Sequence, residues 1–427
     1  MEINPNVPLT NFPGASAQAG RLNEAQAASV QDSVRLDNQA FSKPLDLGKV
    51  AKSFFTRETV HIQWKFKGDD SFSTPPVVSP DGKSIFASDG KSLYGLDRKG
   101  SLRWKKKLDS WTCSKPICGT DGSVYMWDKG HQLKSFKEDG SLRWQKNFKD
   151  SIQSSPAVGP DGTVFICTQN RKLNAIDPLD GSLKWSGDME FFGSPRPAVA
   201  GDGSVSLIDD QDRIYRFGKD GKLLWKKESP GKLNGPVSVG RDGTTFTPSE
   251  DGKLYAYDRD GNVKWSHEAG SPLRQPPVEG DDGTLYLATW TGKSIQALTP
   301  DGKLKWEFPM EDFAEAKPAL GPDGTVYISG YDSNFYALSP SGGFLWKEKF
   351  ESRLTEPPAI GPDGGVYLPS LDNHIYSMRT VESQAEELSA EPDQEHPGQA
   401  DKGTVEVQSS EVVIDGIRLK IKSGDSC

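Results

Sequence analysis

Three sets of side chains in this chain have types suited to chemistry. The first is a group of cations: Lys115, Arg196 and Lys317 share one phase of a repeating pattern, and Arg274 and Arg353 lie just before that phase in other units. Lys and Arg gathered in one place bind carboxylates and other anions. Phe191 and Phe192, a double aromatic nearby, have the type that anchors a protein partner. The second set is Asp-Gly pairs, beginning at Asp81, Asp121, Asp161, Asp202, Asp242, Asp282, Asp323 and Asp363. Asp258-Arg259-Asp260-Gly261 even resembles the start of a calcium loop. It has no third oxygen ligand and no Glu at the position that would complete the site. The third set is His and Cys. The five His fall at unrelated phases, and Cys113, Cys118, Cys167 and Cys427 have no paired or metal-like spacing. Nucleophile-elbow, paired-His zinc and phosphate-loop motifs are absent. The expectation is no catalytic residue, no metal and no cofactor.

The elements that position these sets come from a repeat. Trp64, Trp104, Trp144, Trp185, Trp225, Trp265, Trp306 and Trp346 recur at steps of 40 or 41 residues. The Asp-Gly pairs keep the same step, as does a Gly four residues before each Trp from Gly100 to Gly342; at Trp64 that place is Val60. Within one unit, 318–346, four short apolar runs are separated by Pro-Asp-Gly, Asp-Ser-Asn and Ser-Gly-Gly. Pro presets φ and Gly accepts positive φ, so these are turns between antiparallel strands. A four-stranded meander repeated every forty residues is a β-propeller blade. The unit starting at Pro357 ends without its Trp strand, and 59–66 is a lone Trp strand without a blade. Pairing the two closes the ring at eight blades and leaves no open sheet edge. The eight Trp residues are expected to dock blade against blade.

On this arrangement the eight turn carboxylates form a ring near the axis on one face. The cations at the equivalent phase of Pro75, Lys115, Ser155, Arg196, Pro236, Pro276, Lys317 and Pro357 line the opposite channel mouth. One mouth is expected to be basic and the other acidic, and a mouth of one sign attracts ligands of the other. An acidic peptide segment is the expected occupant, with the chain's own 381–401 stretch as a self-competitor. Each crossing into a blade also carries an apolar residue (Phe72, Trp111, Ile152, Phe192, Leu233, Leu273, Phe313, Leu354), read as inter-blade packing.

The pattern P-x-x-x-x-D-G-x-V-Y…L-Y-A-L-x-x-D-G-x-L-x-W resembles the quinoprotein-type (PQQ-like) propeller repeat over 59–378. The resemblance implies an eight-bladed ring. The family holds quinone-dependent alcohol dehydrogenases and non-catalytic relatives, such as the propeller lipoprotein of the bacterial outer-membrane barrel-assembly machinery. The dehydrogenases hold their quinone with calcium, a catalytic Asp and a disulfide between adjacent Cys. This chain has no Cys-Cys pair and none of the long insertions between blades. The resemblance therefore implies a non-catalytic binding platform, with a quinoprotein-like or other enzyme at the channel mouth as the alternative.

Composition and flanks bound the rest. Of 427 residues, 34% are hydrophobic, and no apolar run is long enough to span a membrane as a helix. The net charge of −9 is concentrated in 381–401, which has seven acids and no Lys or Arg. A nucleic-acid binder is expected to carry a basic excess, which this chain lacks. Residues 1–57 read as a polar extension with short helical stretches, 379–403 as an acidic disordered linker, and 404–427 as a hairpin. In the hairpin, Asp415-Gly416 separates Val412 and Ile414 from Ile417 and Leu419, and it is read as a docking tag. The start of the chain does not read as a secretory signal peptide. A monomeric cytoplasmic protein that binds other proteins is expected, with secretion by a signal-peptide-independent route as the alternative.

Overall fold

The computed structural model describes residues 58–382, apart from 110, 113, 153, 191–195, 234 and 315, and the strand segments 406–408, 411–414 and 417–420. The extension 1–57 lies outside the described residues, as do Phe191, Phe192 and residues 383–403 of the linker read as 379–403; its first four residues, 379–382, instead continue the strand His374–Glu382.

Eight four-stranded antiparallel sheets make the propeller. In chain order the blades span 77–107, 117–147, 157–188, 198–228, 238–268, 278–309 and 319–349. Blade 8 takes three strands from 359–382 and its fourth from Glu58–Lys67. That N-terminal strand pairs antiparallel with His374–Glu382, from Glu58 opposite Glu382 to Lys67 opposite His374. The ring therefore closes on the first strand of the chain, as the sequence predicts. Each inner strand is only two residues long, because near the axis there is room for no more. The second and third strands are almost wholly buried: all of Val164–Thr168, and Lys172–Ile176 apart from the half-buried Lys172.

The Trp residues show why the repeat needs its Gly. The indole Nε1 of Trp104 donates to Glu138 O of the next blade (2.8 Å), and the same bond runs from Trp64, Trp144, Trp185, Trp225, Trp265 and Trp306 to the blade that follows. The Gly of the next blade lies flat on the ring. A Cβ on Gly140 would sit 2.5 Å from Trp104, and Gly140 also has φ +79°. No other residue satisfies both conditions. At the closure the chain begins with a strand instead of a Gly turn. There Val60 packs in the cluster around Trp346, and Trp346 Nε1 is buried without an acceptor among the described residues.

The second compact unit is a three-stranded antiparallel sheet. Val412 pairs with Leu419 and Ile414 with Ile417, and a further strand, Glu406–Gln408, pairs with Glu411–Ile414. The sequence reading has two strands here; Glu406–Gln408 is too short and polar to declare itself.

Candidate functional site

The crossings between blades build the first channel mouth. In five of them, the residue ten before the turn Asp has its carbonyl clamped by a later backbone N–H of the same blade. Trp111 O accepts from Lys129 N (3.3 Å), Phe313 O from Tyr331 N (2.9 Å) and Lys232 O from Glu250 N (2.8 Å). With that carbonyl held, the next side chain turns inward. Phe72, Ile152, Leu233, Leu273 and Leu354 occupy this inward place and are buried. The sequence reading puts Trp111 and Phe313 in the same set, and the structure corrects it. They stand one residue earlier, and the inward places in their crossings hold Thr112 and Ala314, both buried. The indole of Trp111 is thus 45% exposed. It lies over Gly90, where a Cβ would meet its Nε1 at 2.6 Å, and under Lys129 Nζ, 4.6 Å from the ring centroid. Phe313 is half-buried beneath Lys293 Nζ at 5.0 Å.

Four residues after these aromatics the crossings deliver cations to the axis. Lys115, Arg196 and Lys317 line one cavity of about 550 Å³ with Gln275, Tyr331, Thr355 and Glu356. Lys115 Nζ binds Glu356 Oε2 at 2.8 Å, a bridge between the crossings into blades 2 and 8. Lys317 has no carboxylate partner among the described residues. Burial, and then the charge of Lys115 beside it, pushes its ammonium down to about 8. Arg196 is exposed. The other two predicted cations are spent on aromatic faces: Arg274 lies 3.1 Å over Trp290, and Arg353 4.9 Å over Tyr331. Farther out on this face the cations are matched. Lys91 pairs with Asp70, Lys134 with Asp109 and Asp128, Arg213 and Lys226 with Glu190, Lys232 with Glu250, and Lys293 with Asp312. Glu356 has no repeated position, whereas Glu190 shares its phase with Asp69, Asp109, Glu311 and Glu351, and the pairs Lys105–Asp69, Lys226–Glu190 and Lys347–Glu311 repeat.

Most of the free negative charge expected at the opposite mouth is matched by cations; Asp323, which accepts from Thr325 N and Oγ1, has no cation partner among the described residues. Each turn Asp first serves its own turn: Asp121, Asp161, Asp242 and Asp282 accept from the backbone N–H two residues on, at 2.8–3.1 Å. A cation on the outermost strand then approaches. Arg143 pairs with Asp121, Lys184 with Asp161, Lys264 with Asp242 and Lys305 with Asp282. These four are the residues just before the repeat Trp, and each sits where the ladder slips, as between Ala175 and Ile176 opposite Lys184. A β-bulge re-aims a side chain out of the ladder, here toward the turn carboxylate. In blade 4 the bulge position holds Leu224. The fully buried Arg216 stands in, bound to Ser204 Oγ (2.8 Å) and Gly243 O (2.6 Å) and 3.8 Å from Asp202. Arg98 and Arg379 both pair with Asp363. Hydrogen bonds from Ser79 and Lys83 hold the Asp81 carboxyl down to about 2. A cavity of about 830 Å³ at this mouth is lined by Pro80, Pro322 and Pro362 beside Arg241 and Asp281, which pair with each other.

The family model for outer membrane protein assembly factor BamB matches residues 53–187, 129–217, 202–316 and 291–386. The chain belongs to the BamB family. BamB from Moraxella catarrhalis is a structural neighbour at TM-score 0.61 and 15% identity, covering 75% of this chain and 100% of that one. The C-terminal WD40 domain of Sif2 (TM-score 0.63, 11% identity, 75% and 98% covered) and the computationally designed Ika8 protein (0.64, 12%, 74% and 98%) share the fold. At such identities the likeness extends to the fold alone. A search of curated proteins finds no match.

In this BamB-family chain the remaining reactive side chains are occupied or suppressed. Burial pushes the Cys118 and Cys167 thiols up to about 12, so neither is a thiolate at neutral pH. His267 is hydrogen-bonded to Gln296, and His374 contacts the backbone and carboxylate of Asp372. Among the described residues no group of His, Cys, Asp or Glu could hold a metal ion. Among the described residues no helix is long and apolar enough to cross a membrane.

Proposed function

We propose that this BamB-family propeller is a non-catalytic platform that binds a partner protein through its basic channel mouth. The observation that carries the reading is the contrast in charge. Lys317 and Arg196 stand beside Lys115 in one cavity without carboxylate partners among the described residues, whereas the outer cations of the same face are paired. A desolvated cation without an anion costs the fold stability and returns it when an anion binds. The occupant we favour is an acidic segment of the partner. The strand His374–Glu382 runs from the crossing face toward the turn face, so its last residue stands at the face opposite the basic mouth. The free thiols Cys118 and Cys167 favour a reducing compartment, and we place the protein in the cytoplasm.

The test is an affinity capture from native lysate with three baits: the full chain, a chain ending at Ser383, and the full chain with Lys115, Arg196 and Lys317 each changed to Glu. A partner kept by the first two baits and lost by the third supports the reading. A partner lost on truncation moves the site to the C-terminal sheet, and equal capture by all three overturns the basic mouth.

A further inference from the structure

Two departures from the repeat coincide. Three of the eight crossings replace the usual Pro or Ser before the inner strand with a cation, at Lys115, Arg196 and Lys317. The same three crossings carry an aromatic four residues earlier, at Trp111, Phe192 and Phe313, and the other five do not. Where the structure describes the crossing, the aromatic has been moved off the inward place, which Thr112 or Ala314 fills instead. Core packing is worsened by that exchange, since a large buried side chain is replaced by a small one. What the exchange supplies is a ring turned off the inward place, exposed at Trp111 and half-buried against Trp290 at Phe313, with its backbone carbonyl hydrogen-bonded and its cation one step nearer the axis. Lys115 and Lys317, from the crossings into blades 2 and 7, line one cavity, and Trp111 and Phe313 stand four residues earlier in the same two crossings. The bridge from Lys115 to Glu356 crosses the same mouth.

We infer that Trp111 with Lys115, Phe313 with Lys317, and Arg196 form one socket for a single acidic protein segment that carries apolar side chains beside its carboxylates, and that Glu356 is a placeholder for one of those carboxylates. This rests on the basic-mouth reading above and specifies its ligand. The segment's carboxylates take Lys317 and Arg196, and one displaces Glu356 from Lys115. Its apolar side chains cover the two rings. Farther out, Asp70, Asp109, Glu190, Glu250 and Asp312 are each paired with a Lys or Arg, so the open positive charge is limited to the mouth. A short acidic run can use that charge in full, whereas a long polyanion such as nucleic acid would extend over a surface whose cations are already paired.

The probes are two short fluorescein-labelled peptides of Asp and Glu, one carrying two Leu and one with Ser at those places. Binding is read by anisotropy on the full chain. The Leu peptide is expected to bind about tenfold more tightly than the Ser peptide. Trp111→Ala and Phe313→Ala should each erase most of that difference and leave Ser-peptide affinity unchanged, with melting temperatures near that of the parent. Glu356→Gln should tighten both peptides severalfold, because it frees Lys115. Equal affinities for the two peptides overturn the socket and leave the basic mouth standing, as does a Glu356→Gln variant that weakens binding. Failure of both peptides, or binding unaffected by Lys317→Glu, overturns the mouth as well. Displacement of the Leu peptide by citrate at similar concentration would make this a small-anion site and also overturn the socket.

Discussion

The two mouths of the channel are built from the same repeat and treat charge in opposite ways. At the turn face, the carboxylates of Asp121, Asp161, Asp242 and Asp282 each meet a bulged Arg or Lys from their own blade. At the crossing face, Lys317 and Arg196 have no such match, and Lys115 is met by Glu356 from 241 residues away. Compensation that repeats with the blade serves the blade. Of the cations at that phase in three blades of eight, Lys317 and Arg196 are left open among the described residues, and these are the charges the proposed partner site uses.

The largest effect should separate the faces outright. Changing Lys115, Arg196 and Lys317 to Glu is expected to weaken the Leu peptide by about a hundredfold or more with little change in melting temperature. The matching reversal at the other face, Arg143, Lys264 and Lys305 to Glu, should leave binding intact and lower the melting temperature by roughly 2–5 °C. If both triple variants lose binding equally, the contrast is only a matter of net charge.

A titration sharpens the contrast from the alkaline side. Lys317, pushed down to about 8, faces Lys115, Arg196, Tyr331 and Glu356 in its cavity. Above pH 8 it loses its proton, so peptide affinity should fall about tenfold between pH 7 and 9.5. Binding measured near pH 8.5 should take up a proton, visible as a dependence of the calorimetric heat on buffer ionisation enthalpy. Lys317→Met should flatten this profile, and an unchanged profile would remove Lys317 from the site.

From the acid side the turn face should respond instead. Hydrogen bonds and cations hold Asp81, Asp121, Asp161, Asp242 and Asp282 below the ordinary carboxylate range. Their folded-state values lie under the unfolded ones. The stability they contribute is therefore complete above about pH 4 and is lost as pH falls toward 2. Thermal melts at pH 5 and 2.5 should show a smaller drop in a Lys264→Met, Lys305→Met double variant than in the parent.

The smallest effect concerns the cost of the open mouth. A Lys whose folded-state value is depressed destabilises the fold wherever it is charged, here below about pH 8. Lys317→Met should raise the melting temperature at pH 7 by roughly 1–3 °C while weakening the peptide. A fall instead would mean that Lys317 has a structural partner.

Much of the fold was legible because a blade is a local object. The Trp spacing, the Asp-Gly turns and the missing last Trp strand specify eight blades and their closure without any knowledge of contacts. The Gly before each Trp was readable as a marker, but its reason, contact with the Trp of the preceding blade, required the packed ring. The candidate site was half legible. Phase along the repeat placed Lys115, Arg196 and Lys317 at one mouth. It also grouped Trp111 and Phe313 with the inward apolar residues, because a slip of one residue in a crossing is invisible without the backbone clamp on Trp111 O and Phe313 O. The acidic mouth was misread for a related reason. The Arg or Lys before the Trp was visible, but in a regular strand that position points elsewhere, and the bulge that turns it to the Asp is a feature of pairing.

By itself the sequence determined the blade and its turns, since each depends on residues within about forty positions of one another. It also determined the number of blades and the closing strand, because the repeat leaves one Trp strand over at its start and lacks one at its end. Only the tertiary structure decided which charges are matched and which are open. Ion pairing depends on distance in space, and the ring brings Lys115 of blade 2 to Glu356 of blade 8 while leaving Lys317 beside a like charge.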